Sequence, residues 1–410
     1  MGLGFSREQC RELRDGPPPV FFMQATADQV VDLAIIGAGL SGCALVAALR
    51  ARGFGGSILV LEAGRGAGGR ASTRRRRDDP LWRLDHGSPT LSFSQQPQAA
   101  LAALLAPLIA QGVLVPDRGE VVGLDLGSGA VQLVAPPEHP LLSGPRWRGM
   151  PTMAAVAEAL LAVGGGATTT CFGVRIRSLE HGPQGWWLDQ TIRARTLVLS
   201  GTLLAHPRSL AMLGWPEVPL RVALPEGEDP CLDQALRAIA LMQASVRWNL
   251  MLELPAQASA QAAAQAVAVP RQIWLTPQAQ QHFGVERLVL QRQCDGRLGL
   301  VVHGLDGGAA ITPAKQPELL RQQELRLRAL LPQLLGPWPD LQASLAQAQE
   351  LGVMRWGAAQ PFAPGLAPPL QWCAQSRVGF CGDWIAGPGF AMAEGAIQSA
   401  LDLADQLLSC

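Results

Sequence analysis

The stretch Val30 to Arg70, VVDLAIIGAGLSGCALVAALRARGFGGSILVLEAGRGAGGR, decides the reading of this chain. Its apolar opening, Val30 to Ile36, reads as a buried parallel strand that runs straight into Gly37, Gly39 and Gly42 at G-x-G-x-x-G spacing. Gly37 permits a tight turn, Gly39 lets backbone approach a pyrophosphate, and Gly42 lets the next helix lie close on the strand. That helix, Leu40 to about Arg52, is almost wholly apolar, as one sandwiched in a doubly wound core must be. Its N-terminus offers N–H groups and the positive end of a dipole to phosphates. A second strand, Ser57 to Leu61, delivers Glu62 twenty residues past Gly42, where a carboxylate accepts hydrogen bonds from a ribose. Strand, glycines, helix, strand and acid fall in register, which marks a dinucleotide-binding βαβ unit rather than a glycine-rich loop.

The continuation narrows the cofactor. Arg65, Gly68, Gly69 and Arg70 form R-x-x-G-G-R, which a plain nicotinamide site does not need. It suits a larger, permanently held cofactor such as FAD, whose pyrophosphate takes a second, charge-assisted contact. Near the other end, Val378 to Asp383 is a short strand closing on Gly382-Asp383, followed by Gly387-Pro388-Gly389 and a helix from Met392 to Leu408. An aspartate at that turn can hold ribityl hydroxyls, and the helix N-terminus can stabilise negative charge on the N1–C2=O edge of a reduced flavin.

A chain of 410 residues accommodates one nucleotide domain and one interleaved domain. Lys plus Arg and Asp plus Glu both number 33, so there is no nucleic-acid footprint. Tyrosine is absent and Lys315 is the only lysine, which excludes a catalytic tyrosine and confines any lysine mechanism to that residue. The eight cysteines form no C-x-x-C pair, and the six histidines no H-x-x-x-H spacing. Neither a metal site nor a disulfide framework is indicated, and a reducing, cytoplasmic compartment is expected. The N-terminus lacks a secretory apolar region, and Met1-Gly2 with Ser6 matches a myristoylation pattern only formally. Ala99 to Val115, interrupted by Pro107 and Gln111, is expected to be a buried helix and is too short for an integral membrane segment.

These signals place a loosely packed leader at 1–28, with Pro17-Pro18-Pro19 inside it. An α/β, Rossmann-like nucleotide domain takes 29–95, 146–206 and 345–410. A substrate domain built on a mainly antiparallel sheet takes 96–145 and 207–344. In the latter, Ser245–Leu254, Arg271–Thr276, Arg287–Gln291 and Arg297–Gly304 read as strands, and Pro317–Leu335 as an amphipathic helix covering them. The Ala/Gln tract Ala256–Ala266 reads as a surface loop or short helix without chemistry.

Taken together the chain resembles the FAD-dependent amine-oxidase-like superfamily and, within it, the renalase-like branch. The resemblance runs from residue 30 onward. It rests on Gly37-x-Gly39-x-x-Gly42 with Glu62 and Gly68-Gly69-Arg70; on Ala71-Ser72-Thr73-Arg74-Arg75 leading to Asp85-His86-Gly87; and on Arg148-Gly149-Met150-Pro151 before a helix. It further rests on Met354-Arg355-Trp356 with Gln360-Pro361, and on Cys381-Gly382-Asp383-Trp384 with Glu394-Gly395-Ala396. The branch often carries a tyrosine shortly after its Arg-Trp, where this chain has Gly357-Ala358-Ala359, so one wall of the pocket is expected to be open. The lysine and aromatic cage of classical amine oxidases have no counterpart that can be assigned here.

The resemblance implies FAD lying extended, with adenosine at Glu62, pyrophosphate over Gly37 to Gly42, Arg70 and Asp383 further along, and Val174 on the adenine side. It implies that a small molecule, for this branch an aberrant dihydronicotinamide nucleotide, gives a hydride to flavin N5, and that O2 takes the electrons to form H2O2. Trp356, Arg355 and His303 are the residues expected nearest the chemistry. The rival readings are an amine oxidase or desaturase-type flavoenzyme and, in another class, a catalytically inactive flavin-binding scaffold or sensor. The substrate and the oligomeric state are not legible in the sequence.

Overall fold

The computed structural model describes residues 30–163, 167–256, 269–308 and 311–409. The leader at 1–28, the glycines 164–166 and all but the first residue of the Ala/Gln tract lie outside them. β1 (Val30–Ile36), α1 (Leu40–Ala51) and β2 (Ile58–Glu62) form the predicted unit, with the two strands parallel and Leu33 opposite Ile58. A hairpin of β3 (Thr73–Arg75) and β4 (Arg83–Asp85) follows, then β5 (Leu91–Ser92), α2 (Ala99–Ala110) and β6 (Leu114–Pro116). After a second hairpin, β7 (Val121–Leu126) and β8 (Val131–Val134), comes β9 (Arg146–Gly149), which ties β5 and β6 into a small sheet. α3 (Ala154–Val163), β10 (Thr168–Phe172), the meander β11 (Leu179–Gly182), β12 (Gly185–Leu188) and β13 (Ile192–Leu199), and α4 (Pro230–Leu241) lead to the second half. That half supplies β14 (Ala244–Leu254), β15 (Gln272–Leu275), β16 (Val285–Arg292), β17 (Leu298–Leu305), α5 (Gln316–Leu334), β18 (Gln349–Pro361), β19 (Trp372–Cys373), β20 (Val378–Phe380) and α6 (Ala393–Leu408).

The first sheet runs β10-β2-β1-β13 in parallel, and β12 and β11 extend it antiparallel. β20 lies parallel beside the last residues of β13, which returns the C-terminal segment to the end of the sheet that carries the glycine turn after β1. Both faces are covered, so β1 and β2 show no polar alternation. On one face α1, α3 and α6 pack through Leu45, Leu49, Val156, Ile397 and Leu401. On the other lie Trp186, Leu220, Leu236 and Ile239. Each aliphatic side chain so buried contributes about 1.5–3 kcal/mol, and α1, buried continuously from Ser41 to Leu49, is therefore held rigidly. No helix among the described residues is long and apolar enough to cross a membrane.

The second sheet, β18-β14-β17-β16-β15-β7-β8, is antiparallel except where β15 meets β7. One face carries Trp248, Leu250, Leu288, Leu300 and Val302, packed with Leu327, Leu331 and Leu334 of α5. Side chains alternate across a strand, so Asn249, Met251, Val289, Val301 and His303 face the other way. Part of that face is covered by Trp82 and Leu84 around β4.

Three expectations change. Gln349–Pro361, placed in the nucleotide domain, is the edge strand of the second sheet, because it pairs with β14 from Ala244 to Glu253. α2, placed in the substrate domain, instead packs Leu101, Leu105 and Leu108 into the core around α1. It is also not buried all round: those three residues are its buried face, at helical spacing, and the rest is at least partly exposed.

Candidate functional site

A cavity of about 510 Å³ runs from the turn after β1 to the face of the second sheet opposite α5, a size typical of small-molecule sites. At its first end Gly37 has φ +108°, a backbone state that favours glycine, and Ser200 Oγ donates to Gly37 O at 2.9 Å beneath it. Gly42 does not line the cavity. A Cβ there would lie 2.1 Å from Gly37 O, so its smallness sets how closely α1 approaches the turn. Gly39 and Gly69 line the cavity, and Gly39 bridges Gly68.

Glu62, at the end of β2, is half-buried and lines the cavity. Its carboxylate accepts from Ala38 N at 2.8 Å and Gly64 N at 2.6 Å. Val174 N donates to Glu62 O at 2.9 Å, which brings Val174 to the cavity wall. Further along, Arg70 forms a two-pronged pair with Asp383, Nη1 to Oδ2 at 2.6 Å and Nη2 to Oδ1 at 2.5 Å, and also donates to Ala359 O at 3.1 Å. The pair thus links the segment after β2, the segment after β20 and β18. Ala393 and Ala396, in the first turn of α6, line the cavity too. Gly382 and Gly395 sit just outside: Gly382 N donates to Ser399 Oγ at 2.9 Å and Gly395 N to Gly389 O at 3.0 Å, holding the turn before α6.

The second end is built on β14, β16, β17 and β18. His303 is buried, with Nε2 unpartnered, and faces Asn249 and Arg287 on the neighbouring strands. Burial, with Arg287 adding to it, pushes the His303 imidazole well below its usual pKa, so the ring is neutral. Asn249 Nδ2 donates to His86 O at 2.6 Å, leaving Asn249 Oδ1 unpartnered. A β-bulge between Val285 and Arg287 brings Glu286 onto the cavity wall beside Arg287. Burial alone would raise the Glu286 pKa, but Arg287 and Arg247 hold it at about 2. Trp356 is half-buried, lines the cavity and stacks on His86, with ring centroids 5.6 Å apart at 21°. His86 is held there by its neighbour Asp85, which accepts from Thr73 Oγ1 at 2.6 Å and Met153 N at 3.1 Å. Burial pushes the His86 pKa down to about 4.

Of the residues expected nearest the chemistry, Trp356 and His303 line the cavity and Arg355 does not. Arg355 is one residue out of phase with Trp356, and its guanidinium lies over the ring of Trp248, 5.5 Å from the centroid, on the far face of the sheet. Arg65 is likewise misplaced: it is exposed on the loop after Glu62, outside the cavity. Sequence reasoning missed Arg247, Asn249, Glu286 and Arg287. The available signal was charged and amide residues interrupting otherwise apolar strands on what proves to be the cavity face. Ala358 and Ala359 line the cavity where a bulkier side chain was expected to be missing.

The profile of the NAD(P)-binding Rossmann-like domain matches residues 35–108. A search of curated proteins returns no match. Among solved structures the chain is similar to the cyclohexylamine oxidase from Brevibacterium oxydans IH-35A, at 16% identity and TM-score 0.60, covering 93% of this chain and 99% of that one. It is similar to an oxidoreductase from Methanosarcina mazei, at 13% identity and TM-score 0.57, covering 91% and 100%. It is also similar to wild-type putrescine oxidase bound to putrescine, at 15% identity and TM-score 0.55, covering 93% and 100%. At these identities the likeness is one of fold: a Rossmann-like dinucleotide unit joined to a second, largely antiparallel sheet, shared along nearly the whole of each chain.

Proposed function

We propose that this protein is an FAD-dependent oxidoreductase acting on a small molecule. One observation carries the reading: a single cavity joins the Glu62 and glycine-turn end to the His303 and Trp356 end, as a two-ended cofactor with a substrate beside it requires. The residues present suit FAD. Glu62 would accept from ribose hydroxyls, the turn from Gly37 to Gly39 would hold the pyrophosphate, Val174 would flank the adenine, and Asp383, oriented by Arg70, would meet the ribityl chain. The first turn of α6, at Ala396, would place helix N–H groups near the flavin. FAD held there would supply two-electron redox chemistry, able to take a hydride equivalent from the substrate and pass the electrons to O2 as H2O2. The protein's part is positional. His303, neutral at ordinary pH, offers a hydrogen-bonding nitrogen, and Trp356 supplies a flat wall that orients the substrate and excludes water. The motif resemblance to the renalase-like branch makes a dihydronicotinamide nucleotide the first substrate to try, and cysteine usage supports a cytoplasmic location.

The protein is expected to purify yellow, with FAD released intact on denaturation, since no cysteine sits in a recognisable flavin-linking motif. A colourless preparation that takes up no added FAD refutes the proposal. Mixing the holoprotein anaerobically with candidate reductants separates an enzyme, whose flavin bleaches rapidly with the true substrate, from a catalytically silent flavin binder. Glu62→Ala should weaken FAD binding by about 1.5–3 kcal/mol, the worth of a hydrogen bond to a charged group. Unchanged affinity in a flavin-release titration would remove the ribose role.

A further inference from the structure

The sheet-side end of the cavity carries more positive charge than its own residues neutralise. Arg247 Nη2 donates to Glu286 Oε1 at 2.6 Å and Arg247 Nη1 to Val246 O at 3.0 Å, so that pair is closed. Among the described residues Arg287 has as ionic partner only the other oxygen of the same carboxylate, at 3.7 Å, beyond hydrogen-bonding reach, and its buried Nε has no partner there. Its guanidinium lies over the Trp274 ring, 4.6 Å from the centroid, a contact that takes up none of its N–H donors as a conventional hydrogen bond would. Two guanidiniums therefore share one carboxylate. The histidines alongside do not add to the positive charge: burial keeps His303 and His86 neutral, and burial also lowers the pKa of His139, whose ring packs on Trp274 with centroids 4.6 Å apart. An uncompensated charge in so buried a place is costly unless something completes it. Buried polar atoms in the same wall, His303 Nε2, Asn249 Oδ1, Ser245 Oγ and Trp356 Nε1, also lack partners among the described residues, and Arg287 and His303 are direct cross-strand neighbours.

We propose that this end of the cavity binds the carboxylate of a small, singly charged substrate, with Arg287 as its charge partner and His303 Nε2 as an orienting hydrogen-bond group. One surplus positive charge is balanced by one carboxylate, whose two oxygens match the guanidinium fork. A phosphate dianion overshoots that balance, and an ammonium group adds to the charge already there. Trp356, stacked on His86, gives the body of the substrate a flat apolar wall. The proposal depends on the oxidoreductase reading only for the redox step after binding, and it ranks carboxylate-bearing hydride donors above amines and, against the order that motif resemblance alone suggests, above phosphate-bearing dihydronicotinamide nucleotides.

Calorimetric titration of the purified, FAD-supplemented protein with benzoate, benzylamine and phenyl phosphate tests it. Benzoate should bind in preference to the other two, and Arg287→Met should weaken benzoate about ten- to a hundredfold, with Arg287→Lys falling between. Tighter binding of benzylamine or phenyl phosphate, or no heat from benzoate with the folded wild type, overturns the proposal without any variant being needed. Benzoate binding unchanged in a folded Arg287→Met protein overturns it as well. Flavin content is read separately from visible absorption, so a colourless protein sinks the flavin reading while the titration still judges the carboxylate site.

Discussion

Replacing Gly42 with alanine is expected to empty the nucleotide end of the cavity. The added methyl would meet Gly37 O at 2.1 Å and Ser200 Oγ at 3.2 Å. The first contact is with backbone, so no side-chain rotation relieves it, and α1 must move off β1 or the turn must open. α1 cannot shift alone, because it is buried from Ser41 to Leu49 against both the sheet and α6. Overpacking of this kind costs about 1–3 kcal/mol in stability. The displacement falls on the turn carrying Gly37 and Gly39, so FAD affinity should drop by about a hundredfold, or roughly 2.7 kcal/mol. Visible absorption of the purified variant and a flavin titration read the effect. Gly55→Ala is the matched control: Gly55 is exposed and a Cβ there meets nothing within 4 Å, so both quantities should stay at wild-type values. A Gly42→Ala protein with normal FAD content would mean that the close packing of helix on turn is not what shapes the groove.

Trp356→Ala should do the reverse, leaving FAD in place and slowing its reduction by the true substrate. Trp356 is half-buried at the second end of the cavity and stacks on His86, so its loss frees the substrate to tumble without touching Glu62 or the glycine turn. Misplacement by about 1 Å can cost roughly a hundredfold in rate. The stability loss should be smaller than the about 3–5 kcal/mol of a fully buried tryptophan, because the indole Nε1 has no partner to lose and much of its surroundings is cavity. Stopped-flow reduction and thermal melting on one preparation decide between the roles. Intact reduction kinetics with a large fall in melting temperature would make Trp356 a core residue only.

What the sequence by itself determined is the nucleotide unit. From Val30 to Glu62 every requirement is local: apolar strand, turn, helix and acid occur at spacings dictated by backbone geometry, so residue order alone places Gly37, Gly39, Gly42 and Glu62. The Gly382-Asp383 turn before a helix was legible for the same reason. The second end of the cavity was not, because it is assembled across a sheet from β14, β16, β17 and β18, which are remote in sequence and joined by pairings no local pattern announces. A one-residue change of phase carries a side chain to the opposite face, which is why Trp356 lines the cavity while Arg355 lies over Trp248 behind it. The β-bulge that places Glu286 beside Arg287, and the pairing that sets His303 next to Arg287, exist only in the folded sheet. Local spacing thus determined the Rossmann-like unit with its glycine turn, and long-range strand register decided which side chains stand at the other end of the cavity.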